Sequence, residues 1–177
     1  MLLPESLPLY RVDLRAPFVL ATVLALSGCI QPLYGSLAAG GDVASELQAI
    51  KVDPISGKTG HYLTNDLIFA LNGTGAAVPA KYLLKVTVAE NVQTPLLDTV
   101  SGYPTAANVV VNADYRLLRA GSETQITAGK VTVLEGYDRT SQRFANLRAA
   151  QDAEIRGAKT VADQIRIRLA AALAKGG

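Results

Sequence analysis

The sequence predicts an α+β fold of two layers, a four-stranded and largely antiparallel sheet with two helices packed on one face, preceded by a cleavable leader and a tether. Three observations predict it. Apolar residues recur with period two along three stretches between Lys81 and Leu134. An Ala-, Arg-, Leu- and Gln-rich stretch from Ser141 to Ala174 carries a helix-period apolar stripe. A short apolar run, Ala16 to Leu26, ends just before the only cysteine, Cys29.

The leader comes first. Ala16–Leu26 is far shorter than the ~20 apolar residues a membrane-spanning helix needs, but it suits a signal-peptide core. Arg11 and Arg15 give it a positive flank, diluted by Glu5 and Asp13. Leu26-Ser27-Gly28-Cys29 resembles the lipobox of bacterial lipoproteins. The resemblance implies that signal peptidase II recognises Leu26, Ser27 and Gly28 and cuts before Cys29. Cys29 then carries a thioether-linked diacylglycerol and an N-acyl chain. The implied organisation is a lipoprotein signal peptide over 1–28, a lipid-anchored tether over 29–42 and an α/β domain over 43–177. The tether reading rests on Gln31-Pro32-Leu33-Tyr34-Gly35 and Ala38-Ala39-Gly40-Gly41, a density of Pro and Gly unsuited to a packed element.

Within the domain, Val43–Val52 is apolar and weakly alternating, and Asp53-Pro54 closes it. It reads as a first strand whose early part could equally be helical. From Thr59 or Gly60, residues Leu63, Leu67, Ala70 and Leu71 fall at helical spacing until Asn72-Gly73 stops them. The period then changes. Tyr82, Leu84, Val86 and Val88 share one face of a strand, and Leu83, Lys85, Thr87 and Ala89 the other. Asn108–Arg119 repeats the pattern, with Val109, Val111, Ala113, Tyr115 and Leu117 inward and Asn112, Asp114 and Arg116 outward. Ala120-Gly121-Ser122-Glu123 turns the chain into a hairpin with Thr124–Leu134, where Val131 and Val133 face in and Lys130 and Thr132 face out. Clean alternation predicts a sheet covered on one side only. In the last segment Ala158, Ala162, Ile165, Leu169 and Ala172 trace the stripe. That helix would reach about 50 Å against about 35 Å for a strand. It should bend, break near Gly157, or overhang the sheet.

Composition narrows the chemistry. A net charge of +2 over 177 residues gives no case for nucleic acid, and with aromatics scarce and tryptophan absent no stacking platform is visible. One cysteine excludes an internal disulfide framework. His61, the only histidine, has no identifiable partner for general-base work or zinc ligation, so neither a catalytic residue nor a metal site is expected. Gly73-Thr74-Gly75 lacks the third glycine of a dinucleotide fingerprint and follows a helix, so it reads as a turn. Asp152 and Glu154 point to different sides of a helix and suit no glycosidase pair.

Cys29-Ile30-Gln31-Pro32-Leu33-Tyr34-Gly35 is similar to the Cys-Gly-Phe-x-Pro-Leu-Tyr-Gly opening of alphaproteobacterial LptE-family LPS-assembly lipoproteins. Phe144-Ala145-Asn146, Gln151-Asp152-Ala153, Val161-Ala162-Asp163-Gln164-Ile165-Arg166 and Arg168-Leu169-Ala170 resemble the family's closing helix. This chain lacks the Gly-Phe and is one residue shorter there. The resemblance implies a non-enzymatic protein on the periplasmic face of the outer membrane. It would plug the β-barrel LptD and assist lipopolysaccharide transport to the outer leaflet. Ile30, where lipoproteins retained at the inner membrane typically carry Asp, agrees with outer-membrane sorting. No cofactor is implied beyond the acyl chains on Cys29. Lys85, Arg116 and Lys130 are the candidate contacts for lipopolysaccharide or the barrel lumen, because clustered cations suit phosphate. A periplasmic lipid carrier or an ABC-transporter auxiliary lipoprotein is the competing class, and it would use a cavity between sheet and helices.

Overall fold

The computed structural model describes residues 43–73, 78–94 and 105–175. The signal-peptide and lipidation residues Leu26, Ser27, Gly28 and Cys29 lie outside them. The elements run α1 (Val43–Gln48), β1 (Ile50–Val52), α2 (Lys58–Asn72), β2 (Tyr82–Gln93), β3 (Ala106–Arg119), β4 (Gln125–Asp138) and α3 (Arg143–Ala174). The strands form one four-stranded sheet in the order β1-β2-β3-β4. β1 pairs parallel to β2, and the other two pairings are antiparallel. The predicted class is therefore observed, with one more helix than the pattern indicated.

That helix occupies the early part of the segment read as a first strand. Val43 and Leu47, four residues apart, are both buried, which is a helix period. The Glu46 carboxylate accepts from Lys81 Nζ at 2.7 Å and from Tyr82 Oη at 2.8 Å, fixing α1 against the start of β2. These hydrogen bonds, Lys81 first, hold the Glu46 carboxyl below the usual carboxylate range. Only Ile50–Val52 remains extended, and Pro54 follows it. Asn72-Gly73 ends α2 as predicted: Gly73 adopts φ 60° and donates its N–H to Phe69 O at 3.0 Å. The β3–β4 hairpin closes with Arg119 N–H donating to Thr124 O at 3.0 Å.

The core fills the space between the sheet and the helices. Leu84, Val109, Val111, Ala113, Leu117 and Val131 project from the strands, while Leu63, Leu67, Val161, Ile165 and Leu169 project from α2 and α3, all fully buried. Apolar burial of this kind is the main favourable term in folding. α3 runs unbroken for 32 residues through Gly157. A Cβ at Gly157 would lie 2.9 Å from Val111 Cγ2, so glycine lets the helix approach β3 closely. The helix does not break at Gly157, and its first turns are exposed, as an overhanging start would be. No residue of α3 before Ala153 is buried, and between Arg143 and Arg148 every residue but Asn146 is exposed.

Candidate functional site

The face of the sheet turned away from α2 and α3 gathers the predicted cations. Pairing register places Lys85 directly opposite Arg116, and Thr87, Asp114 and Lys130 make up the adjacent row across β2, β3 and β4. Lys85, Arg116 and Lys130 are all exposed. Their positions follow from alternation: on each strand the residues on either side in sequence point into the core or toward it. A stiff three-strand platform thus holds all three side chains on one surface.

The electrostatics of the rows differ. Lys130 Nζ stands 4.0 Å from Asp114 Oδ2, with both side chains well exposed, so the pair is weak. Lys85 and Arg116 face each other as like charges, an arrangement that costs stability in an antiparallel pair. An anion placed between them would remove that cost. Arg116 can offer a planar fork of donors and Lys85 a compact ammonium, which together suit a phosphate. The face then becomes neutral: Thr132 Oγ1 donates to Asn112 Oδ1 at 2.8 Å, and beyond it lie Val110 and Leu134.

Lys51 has no local signal that assigns it to this surface, yet it belongs there. It pairs with Leu83 in the parallel β1–β2 register, is exposed, and sits one row from Lys85. What would have found it is the parallel placement of a three-residue strand, which alternation does not encode. His61 is elsewhere, exposed on α2, with its Nε2 3.4 Å from Asn65 Nδ2. Among the described residues no helix is long and apolar enough to cross a membrane.

The family model described as LptE, lipopolysaccharide-assembly, matches residues 47–169. A structure described as a lipoprotein of Caulobacter crescentus CB15 is similar at 26% identity, with TM-score 0.62 over 76% of this chain and 97% of its own. Rare lipoprotein B of Shewanella oneidensis shares the fold at 14% identity and TM-score 0.52, over 69% of this chain and 93% of its own. A minor lipoprotein of Acinetobacter baumannii does so at 15% and 0.53, over 69% of this chain and 90% of its own. No curated protein matches.

Proposed function

The chain belongs to the LptE lipopolysaccharide-assembly family, and from that premise we propose that it is a lipid-anchored outer-membrane protein that plugs the β-barrel LptD and guides lipopolysaccharide to the outer leaflet. Members of this family are non-enzymatic lipopolysaccharide-assembly lipoproteins associated with the outer membrane. Acylated Cys29 holds the amino terminus in the periplasmic leaflet, and residues 29–42 give the domain reach into the barrel.

One observation carries the site assignment: the like-charged Lys85–Arg116 pair on a sheet face that no described helix covers. Lys51 and Lys130 extend the same positive surface on either side. Phosphate groups of lipopolysaccharide, or acidic groups of the barrel lumen, would sit there by charge-assisted hydrogen bonding. No covalent step is involved. The platform works by lowering the free energy of an anion at a fixed place, and its rigidity comes from the core beneath it. The carrier reading fits less well, because the space between sheet and helices is occupied by Leu63, Leu84, Val111, Val131 and Ile165.

The test has two arms. The chain, purified from detergent-solubilised outer membranes, should bring down a large β-barrel in equimolar amount. In the second arm Lys85, Arg116 and Lys130 are all changed to Gln. This variant should fold normally but lose lipopolysaccharide binding or barrel assembly by about an order of magnitude, on the usual value of charged hydrogen bonds. Unchanged binding and assembly in the triple variant would refute the site, and bound lipid with no barrel would refute the plug.

A further inference from the structure

The exposed start of α3 carries an apolar surface that neither the core nor the cationic platform uses. Phe144 is 84% exposed and Leu147 57%. They lie eighteen residues, about five helical turns, before Ala162 and Ile165, so they share the azimuth of the buried stripe. The core-facing side of the helix therefore continues, toward its start, as an exposed apolar surface. Nor is this a frayed end. Asn146 accepts from Thr140 N–H at 2.8 Å and donates to Thr140 O at 2.8 Å, and Gln142 N–H donates to Thr140 Oγ1 at 3.2 Å. Arg139 N–H donates to Thr105 O at 2.8 Å, tying the same loop to the sheet.

We propose that this end of α3 docks on the surface of an anionic lipid bilayer. Between Arg139 and Gln151 the chain has three arginines, at 139, 143 and 148, and no acidic residue. At about 100° per residue, Arg143 falls about 40° beyond Leu147 on one side and Arg148 about 40° beyond Phe144 on the other. An apolar pair flanked by guanidinium groups is the layout of an interfacial helix: the rings and methyls enter the headgroup boundary and the arginines stay with the phosphates. The barrel is the competing occupant, and arginines on both sides of the apolar pair favour an anionic bilayer over it.

The anchor permits the contact. α1 packs at the start of β2, whereas α3 begins five residues after β4 ends at Asp138, at the opposite end of the sheet, roughly 40 Å away along a strand of twelve residues. The fourteen residues from Cys29 to Asp42 reach about 45–50 Å when extended. Both ends can therefore meet one leaflet.

The chain has no tryptophan, so Phe144→Trp in the full chain is a unique reporter. Phe69→Trp, on an exposed site of α2, reports the effect of anchoring alone. Each variant is bound to vesicles of brominated phosphatidylcholine with and without about one third phosphatidylglycerol. Indole emission from the Phe144→Trp variant should be quenched about twofold or more on the anionic vesicles only, and Arg143→Gln with Arg148→Gln should abolish this. Quenching at both sites alike, quenching indifferent to phosphatidylglycerol, or none at all would overturn the proposal. So would burial of the reporter only when the LptD barrel is added, which would make the surface a protein contact. Because the vesicles hold no barrel, failure here is separable from failure of the plug reading on which the membrane placement rests.

Discussion

A missing methyl group decides how closely α3 lies on the sheet. At Gly157 an added Cβ would meet Val111 Cγ2 at 2.9 Å, well inside contact distance. Alanine there gains about 1 kcal/mol of helix propensity but overpacks the interface at a cost of about 1–3 kcal/mol. Gly157→Ala should therefore leave the domain less stable, and Val111→Ala in the same chain should recover part of the loss by opening the space. A double-mutant cycle in urea measures the coupling, which should be about 1 kcal/mol in favour of the pair. Simple additivity would show that the helix shifts freely and that glycine is incidental. In the sequence this residue reads as a possible break, since an isolated glycine in a helix is a weak point. Packing against Val111 is a tertiary fact without a local signature. The cations show the same division: alternation places Lys85, Arg116 and Lys130 on the open face correctly, while Lys51 needs the register of another strand.

At the scale of elements, legibility follows the strength of the periodic signal. Three long strands and α3 carry many repeats of their pattern, and the sequence locates them within a few residues. Val43–Val52 carries too few: six residues of helix and three of strand give each period little more than one repeat. Nor does a strand pattern reveal which strand lies at an edge. β4 is an edge strand of fourteen residues, and long open edges invite pairing with other chains. Here α3 guards it. Arg168 Nη1 donates to Lys130 O at 2.5 Å, and Arg156 Nη2 donates to Gly136 O at 3.0 Å. Thr132 and Leu134 between them share the parity of those outward carbonyls, and Leu134 is 57% exposed. Changing both arginines to Ala should uncover the edge and raise the mass measured by light scattering after size exclusion. Either change alone should have little effect, because the remaining guanidinium still interrupts the edge. A double variant with the parent's mass at high concentration would show that the twist of β4, rather than the arginines, keeps the edge free.

At the scale of the whole molecule, folding and anchoring are separable. Among the described residues the core joins α1, β1, α2, the long strands and α3 through side chains from Val43 to Leu173, and a domain held by that burial should keep its stability when Cys29 is changed. The membrane attachment should owe nearly everything to it. Each buried methylene contributes about 0.8 kcal/mol, so the several chains of an acylated cysteine hold far more firmly than the single myristoyl chain that gives only marginal binding. Two proposed contacts at the exposed start of α3, Phe144 and Leu147, are too few to replace them. Cys29→Ala should thus accumulate as a precursor with residues 1–28 attached, or appear in the soluble periplasmic fraction, with a melting temperature equal to the parent domain's. Intact-mass measurement of the envelope fraction distinguishes these outcomes directly. A variant that is cleaved, retained and indistinguishable in mass distribution from the parent apart from the substitution would mean that Leu26-Ser27-Gly28 is not read by signal peptidase II. In that event the tether would be an ordinary amino-terminal extension, and the open cationic face would have to find its anion without being held at a membrane.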